Sequence, residues 1–239
     1  MRPTRIRDKK MELFNRAKAI LFNPKEEWEV IEAENSPHAK VLPYLLILAL
    51  IPAIAFFAKY WFQWHSAISK AKEAAINAAN NNPYLKEHLA ETFKNIKESS
   101  PFFGSLGVSG IIAAVNQILI IVGAVYLATI LIHALSDQFG VSKDFNRTFS
   151  LVTFSFTPLC VAGILYIYTP LAWLIPLIGL YGVYLLFIGI KPLIKPAEAK
   201  QTGYIVMALL VTVVAYIVVT KIVPSITTEI YSSIVTSGA

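Results

Sequence analysis

The stretch between Arg147 and Lys191 constrains this chain most, because 43 consecutive residues carry no Asp, Glu, Lys, Arg or His. As one α-helix it would be about 65 Å long, whereas the hydrocarbon core of a bilayer is ~30 Å thick. The stretch is therefore predicted to cross a membrane, turn and cross back. The turn is placed at Tyr168-Thr169-Pro170, since proline cannot continue the incoming helix. The two arms are Phe149–Ile167 and Leu171–Ile190, and the cations that flank them should lie on the same side.

The composition is typical of a membrane protein. Of the 239 residues, 56% are hydrophobic and 15% are charged, with a mean hydropathy of +0.58, whereas a soluble domain carries about 25% charged residues. The net charge of +6 does not indicate nucleic-acid binding, because nine of the 21 Lys and Arg residues lie in the first 40 positions beside acidic residues. The single cysteine, Cys160, excludes an internal disulfide framework and is interpreted as a small buried side chain. No cleavable signal peptide is expected.

The predicted fold is an all-α, polytopic membrane protein with five transmembrane helices. The spans are placed at about residues 42–60, 108–135, 149–167, 171–190 and 203–221. Residues 65–101 are predicted to form a soluble helical hairpin between the first two spans. Gly140 is expected to take a left-handed cap position after the second span. Lys221 and Pro224 are expected to end the last helix, leaving residues 224–239 as a tail.

Residues 1–40 are predicted to form an amphipathic lead-in at the membrane interface, built of two helices. Met11–Phe22 is too short to span and is expected to lie at the membrane surface or to dock on the bundle. Asn23-Pro24-Lys25-Glu26 predicts the start of the second helix, with a capping box between Asn23 and Glu26. In that helix we expect Trp28 and Ile31 to face the bilayer. The side chains expected to point outward are Glu27, Glu29, Glu32 and Glu34.

Five spans place the termini on opposite sides of the membrane. With the N-terminus inside, the inner segments hold 14 Lys and Arg residues and the outer segments hold seven. The positive-inside rule therefore predicts a cytoplasmic N-terminus, with the 65–101 insertion and the C-terminus extracytoplasmic.

Three parts of the chain form a recognisable pattern. They are Leu21-Phe22-Asn23-Pro24 with Trp28 and Ile31, Phe139-Gly140-Val141-Ser142-Lys143-Asp144-Phe145 with Arg147 and Thr157-Pro158, and Pro176 with Tyr181, Tyr184-Leu185 and Gly189. In these parts the chain resembles the Yip1-domain family of five-span membrane proteins, in its prokaryotic branch with a short N-terminus. The resemblance implies a five-helix bundle with a cytosolic N-terminus, here in a bacterial cytoplasmic membrane. The eukaryotic members of that family act in vesicle traffic with Rab-type GTPases. This chain lacks their long N-terminal region and their Asp-Leu-Tyr-Gly-Pro motif, which argues against a GTPase partner.

His133 and Asp137 are one pair of candidate site residues. They are four positions apart and share a helix face. Two residues are too few to ligate a metal, so the preferred interpretation is a histidine that is hydrogen-bonded at the membrane border.

Four further candidates lie inside the spans. The amides of Asn116 and Gln117 are expected to bond across helices, with the lining of a substrate cavity as the alternative. Tyr181 and Tyr184 bring hydroxyls into the fourth span, where they need partners. Close packing within the bundle, in preference to a homodimer seam, is predicted at Gly179, Gly182 and Gly189.

A basic rim is predicted where the hairpin arms end. It consists of Lys143, Arg147, Lys191 and Lys195, joined by Lys200. This rim is the positive-inside signal itself, and the sharper hypothesis is contact with anionic lipid headgroups.

The leading functional hypothesis is a non-enzymatic membrane protein that organises, shapes or scaffolds the bilayer and its partners. No Asp, Glu, Lys or Arg lies deep in a span, where proton-coupled carriers place such groups, and no hydrolase, metalloprotease or phosphate-loop motif occurs. The alternative is a small-molecule or lipid transporter or channel with a polar cavity lined by Asn116, Gln117 and Tyr181. An intramembrane enzyme built on His133 and Asp137 is the third hypothesis. No cofactor or nucleic-acid partner is expected, and self-association or contact with other membrane proteins stays open.

Overall fold

The computed structural model describes residues 4–78, 84–85, 87–89, 91, 105–141 and 143–237. All regular structure in these residues is helical, as predicted. The α-helices are α1 (Thr4–Phe22), α2 (Pro24–Glu34), α3 (His38–Ala78), α4 (Ser105–Phe139), α5 (Phe145–Ser155), α6 (Thr157–Ala162), α7 (Leu174–Ile194) and α8 (Glu198–Ser237).

Five helical segments are long and apolar enough to cross a membrane, which confirms the five-span fold. They are His38–Ala75, Ser109–Phe139, Phe145–Ile167, Leu174–Ile194 and Glu198–Ile230. Because α3, α4 and α8 contain 41, 35 and 40 residues, each is over 50 Å long at about 1.5 Å per residue. They therefore extend well beyond one face of a bilayer. The first part of the 65–101 insertion continues α3 to Ala78, and most of the remainder of the predicted hairpin lies outside the described residues.

The third and fourth spans form the predicted hairpin. The third span consists of α5, α6 and a 3₁₀ segment at Gly163–Ile167, and a second 3₁₀ turn at Thr169–Leu171 reverses the chain. At the other end, Arg147 Nη1 donates to the Leu193 carbonyl over 3.4 Å. Arg147 and the end of α7 therefore lie at the same end of the bundle, which we call the basic end.

The last helix differs from the prediction, because α8 continues through Lys221 and Pro224 to Ser237. Proline removes only the one N–H that would donate to the Thr220 carbonyl, and the helix continues past this lost bond as α3 continues past Pro43 and Pro52. Beside it, Ser225 Oγ donates to the Lys221 carbonyl, and Thr228 Oγ1 donates to the Pro224 carbonyl.

The third span forms the centre of the bundle. Of its apolar window, 67% is buried, more than in any of the other four. Tyr44 of the first span and Thr157 of the third share a buried hydrogen bond of 2.9 Å between hydroxyls. The Tyr44 and Phe154 rings pack at 4.8 Å between centroids. This polar contact fixes the first span against the third in an otherwise apolar core.

Candidate functional site

The helix pair α1–α2 docks on the bundle instead of lying flat beneath it. Ile20 of α1 is completely buried, and Trp28 of α2 is 1% exposed. The expectation that Trp28 and Ile31 face the bilayer is wrong, since both are buried in the bundle core. Two tertiary contacts explain this orientation. The Trp28 ring packs edge-on to Phe154, and Gly189 has no side chain to displace the indole.

Three contacts show that α2 runs alongside α7. Lys195, the C-cap of α7, forms an ion pair with Glu32 near the end of α2. The Trp28 indole covers Gly189. The Tyr181 hydroxyl donates to the Leu21 carbonyl over 2.8 Å, just before α2 begins. Tyr181 and Lys195 are 14 residues apart, about 21 Å of helix. The turn between α1 and α2 therefore lies beside the middle of the fourth span.

Arg16 holds the two helices of the pair together. Its Nη1 lies 2.8 Å from Glu27 Oε1, and its Nη2 lies 2.5 Å from Glu34 Oε1. The guanidinium also lies over the Phe154 ring at 5.9 Å from the centroid. Burial raises the pKa of the Glu27 carboxyl above its ordinary value, and the neighbouring Arg16 offsets this only in part. The predicted outward position of Glu27 is therefore wrong, because its side chain turns toward Arg16. Glu32 keeps a partly exposed carboxylate that pairs with Lys195.

The face of α2 that points away from the bundle carries charged residues where the helix runs beside α7. Lys25, Glu26 and Glu29 are all exposed. Asn23 occupies the N-cap position but forms no side-chain cap hydrogen bond, so the predicted capping box is not formed. The helix pair therefore places charged side chains next to the apolar fourth span. The periodicity of α2 alone does not reveal this arrangement.

The basic rim is largely paired. Arg147 Nε lies 3.3 Å from Asp144 Oδ2 and donates to Asn35 Oδ1, and the Asp144 side chain caps α5 by accepting from the Arg147 backbone N–H. Gly140 has a φ of +66° and takes the predicted left-handed position. Lys191 is exposed, and Lys200 Nζ donates to the Gln138 carbonyl.

His133 and Asp137 do not form a site together. Asp137 is exposed, and its carboxylate lies 2.6 Å from Lys143 Nζ. The His133 ring packs on Phe145, and its buried Nδ1 finds no hydrogen-bond partner in the described structure. The expected hydrogen bond is therefore not formed at Nδ1. Within the described residues, no group of three or more His, Cys, Asp or Glu side chains is placed to hold a metal ion.

The intramembrane candidates are likewise dispersed. Gln117 is 8% exposed, and Asn116 Oδ1 is buried without a hydrogen-bond partner among the described residues. Tyr181 and Tyr184 stack at 5.6 Å between centroids on α7. Gly182 and Gly189 serve packing within the chain, since a Cβ at 182 would lie 2.5 Å from the Ser155 carbonyl oxygen.

A cavity of about 240 Å³ lies between the third, fourth and fifth spans. Its lining is almost entirely apolar, and it does not include Asn116, Gln117 or Tyr181. Lining residues from each span are Ser155, Phe156, Gly179, Val183, Thr212 and Tyr216. No sequence pattern marks Ser155 as a cavity residue, because serines are common in apolar helices and only the tertiary structure shows which of them line a cavity.

The family of the chain follows from a comparison with known families. The Yip1 domain model matches residues 18–220, a range that contains the docked α2, the hairpin and all the cavity-lining residues. No curated protein and no solved structure matches. Five membrane-spanning helices and this match agree with each other. The chain therefore belongs to the Yip1 domain family and is a multi-pass integral membrane protein.

Proposed function

We propose that this protein is a non-enzymatic membrane-shaping protein that deforms one leaflet around itself. The single observation that carries the proposal is the position of α2, whose exposed charges lie beside the half of α7 nearest the basic end. With the basic end toward the cytoplasm, as the positive-inside rule favours, the deformed leaflet is the cytoplasmic one. A bacterial cytoplasmic membrane is the location that we propose.

The physical reason is hydrophobic mismatch on one face only. From Tyr181 back to Leu174, where α7 begins, only seven residues or about 10 Å of α-helix remain free of α2. The hydrocarbon core is ~30 Å thick. A mismatch of about 20 Å, at a few tenths of a kcal/mol per Å, corresponds to several kcal/mol. Water and headgroups are therefore drawn toward the turn between α1 and α2, because exposed carboxylates in hydrocarbon are costlier still.

Two exposed lysines of the basic rim support the same role. Lys191 and the exposed side chain of Lys195 lie where anionic headgroups of the thinned leaflet would meet the bundle. The transporter alternative has no comparable support, since the cavity beside α7 is apolar and excludes the amides predicted to line it.

The test uses the full chain in vesicles of phosphatidylcholine and phosphatidylglycerol, imaged by electron cryomicroscopy. Wild type is expected to narrow and tubulate vesicles and to thin the bilayer next to α2. A Lys25→Leu, Glu26→Leu and Glu29→Leu variant, which keeps every docked side chain, is expected to leave vesicles near their starting shape. The matched control replaces three exposed charges of α3 that lie outside the helix pair and the basic rim, Lys70→Leu, Lys72→Leu and Glu73→Leu, and is expected to deform vesicles as wild type does.

Two results count against the proposal. One is equal deformation by wild type and the triple variant, with helix content and size-exclusion profile unchanged. The other is protein-dependent flux of a defined solute across vesicles that keep their shape, which would make transport the primary role.

A further inference from the structure

We propose that the exposed face of α2 binds the headgroup of a phospholipid with a primary ammonium, such as phosphatidylethanolamine, with the phosphate on Lys25 and the ammonium on Glu26 and Glu29. The inference deepens the membrane-shaping proposal and rests on it, because only a thinned leaflet brings headgroups to this depth. All three side chains are exposed. No ion pair among the described residues includes any of them, so each charge is open to a partner from outside the chain.

The spacing of the three charges matches one headgroup. Lys25 and Glu29 are four residues apart, and Glu26 and Glu29 are three residues apart. They therefore lie on one face of the helix, with neighbours about 5–6 Å apart. In phosphatidylethanolamine a short ethylene bridge joins the phosphate to the ammonium, and the two charges are a similar distance apart. One headgroup can thus meet the cation and a carboxylate of α2 together.

The depth of these charges makes hydrocarbon an unfavourable neighbour. Glu32 pairs with Lys195 at the basic end, and Lys25 lies seven residues before Glu32, about 10 Å along the helix. Lys25 and Glu29 therefore lie nearer the bilayer midplane than this ion pair. Charged side chains at such a depth are costly unless they are paired. A headgroup that is drawn down beside α2 pairs both signs of charge at once.

The balance of charge favours a zwitterionic headgroup over an anionic one. One cation, Lys25, and two carboxylates, Glu26 and Glu29, leave this face with a net charge of −1, which repels the anionic headgroup of phosphatidylglycerol. Hydrogen bonding then distinguishes between the zwitterions. A primary ammonium has three N–H donors, as in lysine, and donates charge-assisted hydrogen bonds to carboxylates. The trimethylammonium of phosphatidylcholine has no N–H to donate.

A second copy of the chain fits this face less well. Of the large apolar side chains of α2, Trp28 and Ile31 are buried in the bundle and Val30 is exposed. The centre of a stable protein–protein interface is apolar and depleted of charged residues. The exposed face of α2 has the opposite composition, which suits headgroups.

The test measures lipid binding to the purified full chain in detergent by native mass spectrometry. The probes are phosphatidylethanolamine and its monomethyl, dimethyl and trimethyl derivatives with equal acyl chains, so that N–H donors are lost one by one while the charge stays constant. Wild type is expected to prefer phosphatidylethanolamine over phosphatidylcholine about tenfold, as for a hydrogen bond between charged groups. The preference is expected to fall along the series.

Charge variants complete the design. Glu26→Gln with Glu29→Gln is expected to abolish the preference and to raise phosphatidylglycerol binding, because the face then carries a net positive charge. The matched control, Glu73→Gln with Glu198→Gln, removes two exposed carboxylates outside α2 and is expected to bind lipid as wild type does. If the first variant misfolds by circular dichroism and size exclusion, Lys25→Gln replaces it and is expected to weaken binding of both zwitterions alike.

Three results overturn the inference. They are equal binding of phosphatidylethanolamine and phosphatidylcholine by wild type, a preference that survives Glu26→Gln with Glu29→Gln, and a wild-type dimer without lipid preference that this variant dissociates, which assigns the face to a second copy. The vesicles of phosphatidylcholine and phosphatidylglycerol contain no primary ammonium. Deformation of those vesicles without a lipid preference therefore removes the lipid site alone, whereas undeformed vesicles overturn membrane shaping as well.

Discussion

The contact between Trp28 and Gly189 governs the docking of the helix pair, and both residues can be changed without touching the charged face of α2. Trp28 is 1% exposed. A Cβ built on Gly189 would lie 2.7 Å from Trp28 Cε2 and 2.7 Å from Leu151 Cδ1, closer than real Cβ atoms approach. Gly189→Ala is therefore expected to push the indole out of its site, and Trp28→Ala is expected to empty the same site.

The sizes of the two effects follow from core substitutions. Trp→Ala in a packed core costs about 3–5 kcal/mol, and inserting a methyl into a filled site costs about 1–3 kcal/mol. In the double variant the new methyl at Gly189 occupies space that the indole has left. We therefore expect the double variant to lose about 1–2 kcal/mol less docking free energy than the sum of the two single variants, as is usual for residues in contact.

Thiol labelling measures these effects, because Ile20 is completely buried when α1 is docked. In a Cys160→Ala background, Ile20→Cys reacts with a maleimide only when the pair undocks. Since 1.4 kcal/mol is tenfold, Trp28→Ala is expected to raise the labelling rate at least 100-fold. Gly189→Ala is expected to raise it by about five- to 100-fold.

The reasoning fails if Gly189→Ala labels at the wild-type rate, because the indole would then have room that the structure denies. Strict additivity in the double variant would equally contradict a shared site. Circular dichroism and a second cysteine on the far side of the bundle control for global unfolding.

Three further predictions concern polar contacts. Arg16→Met is expected to weaken the docking of the pair by about 1–2 kcal/mol, since it leaves the half-buried Glu27 carboxylate without its cation, whereas Glu27→Gln costs less because burial already raises the pKa of that carboxyl. Tyr44→Phe and Thr157→Val are each expected to lower the free energy of unfolding by about 1 kcal/mol, and the double variant is expected to lose little more than either single variant. The pKa of Glu32 is lowered by the hydrogen bond from the C-cap lysine of α7, so its contribution to docking is complete above pH 4.5 and is lost as pH falls below that value.

Each of these has a distinguishing result. Equal undocking by Arg16→Met and Glu27→Gln would show that the ion pair is not desolvated. Additive losses in the Tyr44→Phe and Thr157→Val double variant would show separate roles for the two hydroxyls. Increased docking on acidification, followed by the Ile20→Cys labelling rate, would contradict the sign expected for Glu32.

Much of the fold could be predicted from residue patterns. A long uncharged stretch leaves a chain few options in a bilayer, because every backbone group must be satisfied within a helix. The hairpin turn at Tyr168–Pro170 and the left-handed Gly140 followed from the backbone limits of proline and glycine. The continuation of α8 through Pro224 did not, because a proline removes one helix hydrogen bond and the sequence does not show whether the rest of a long helix outweighs that loss.

The site was predicted less well. Asn116, Gln117, His133 and Asp137 are polar residues in or near spans, yet the structure does not bring them together in one cavity. Trp28 looked lipid-facing because an amphipathic helix has the same period whether its apolar stripe meets lipid or protein.

The sequence by itself determined the five membrane crossings and placed both ends of the hairpin on one side. The length of an uncharged segment and the positions of its flanking cations are local properties, and they decide directly how a segment sits in a bilayer. Only the tertiary structure decided which way α2 faces and which residues of three spans enclose the cavity. Both depend on side chains far apart in the chain, such as the glycine opposite the indole, and no local pattern encodes such distances.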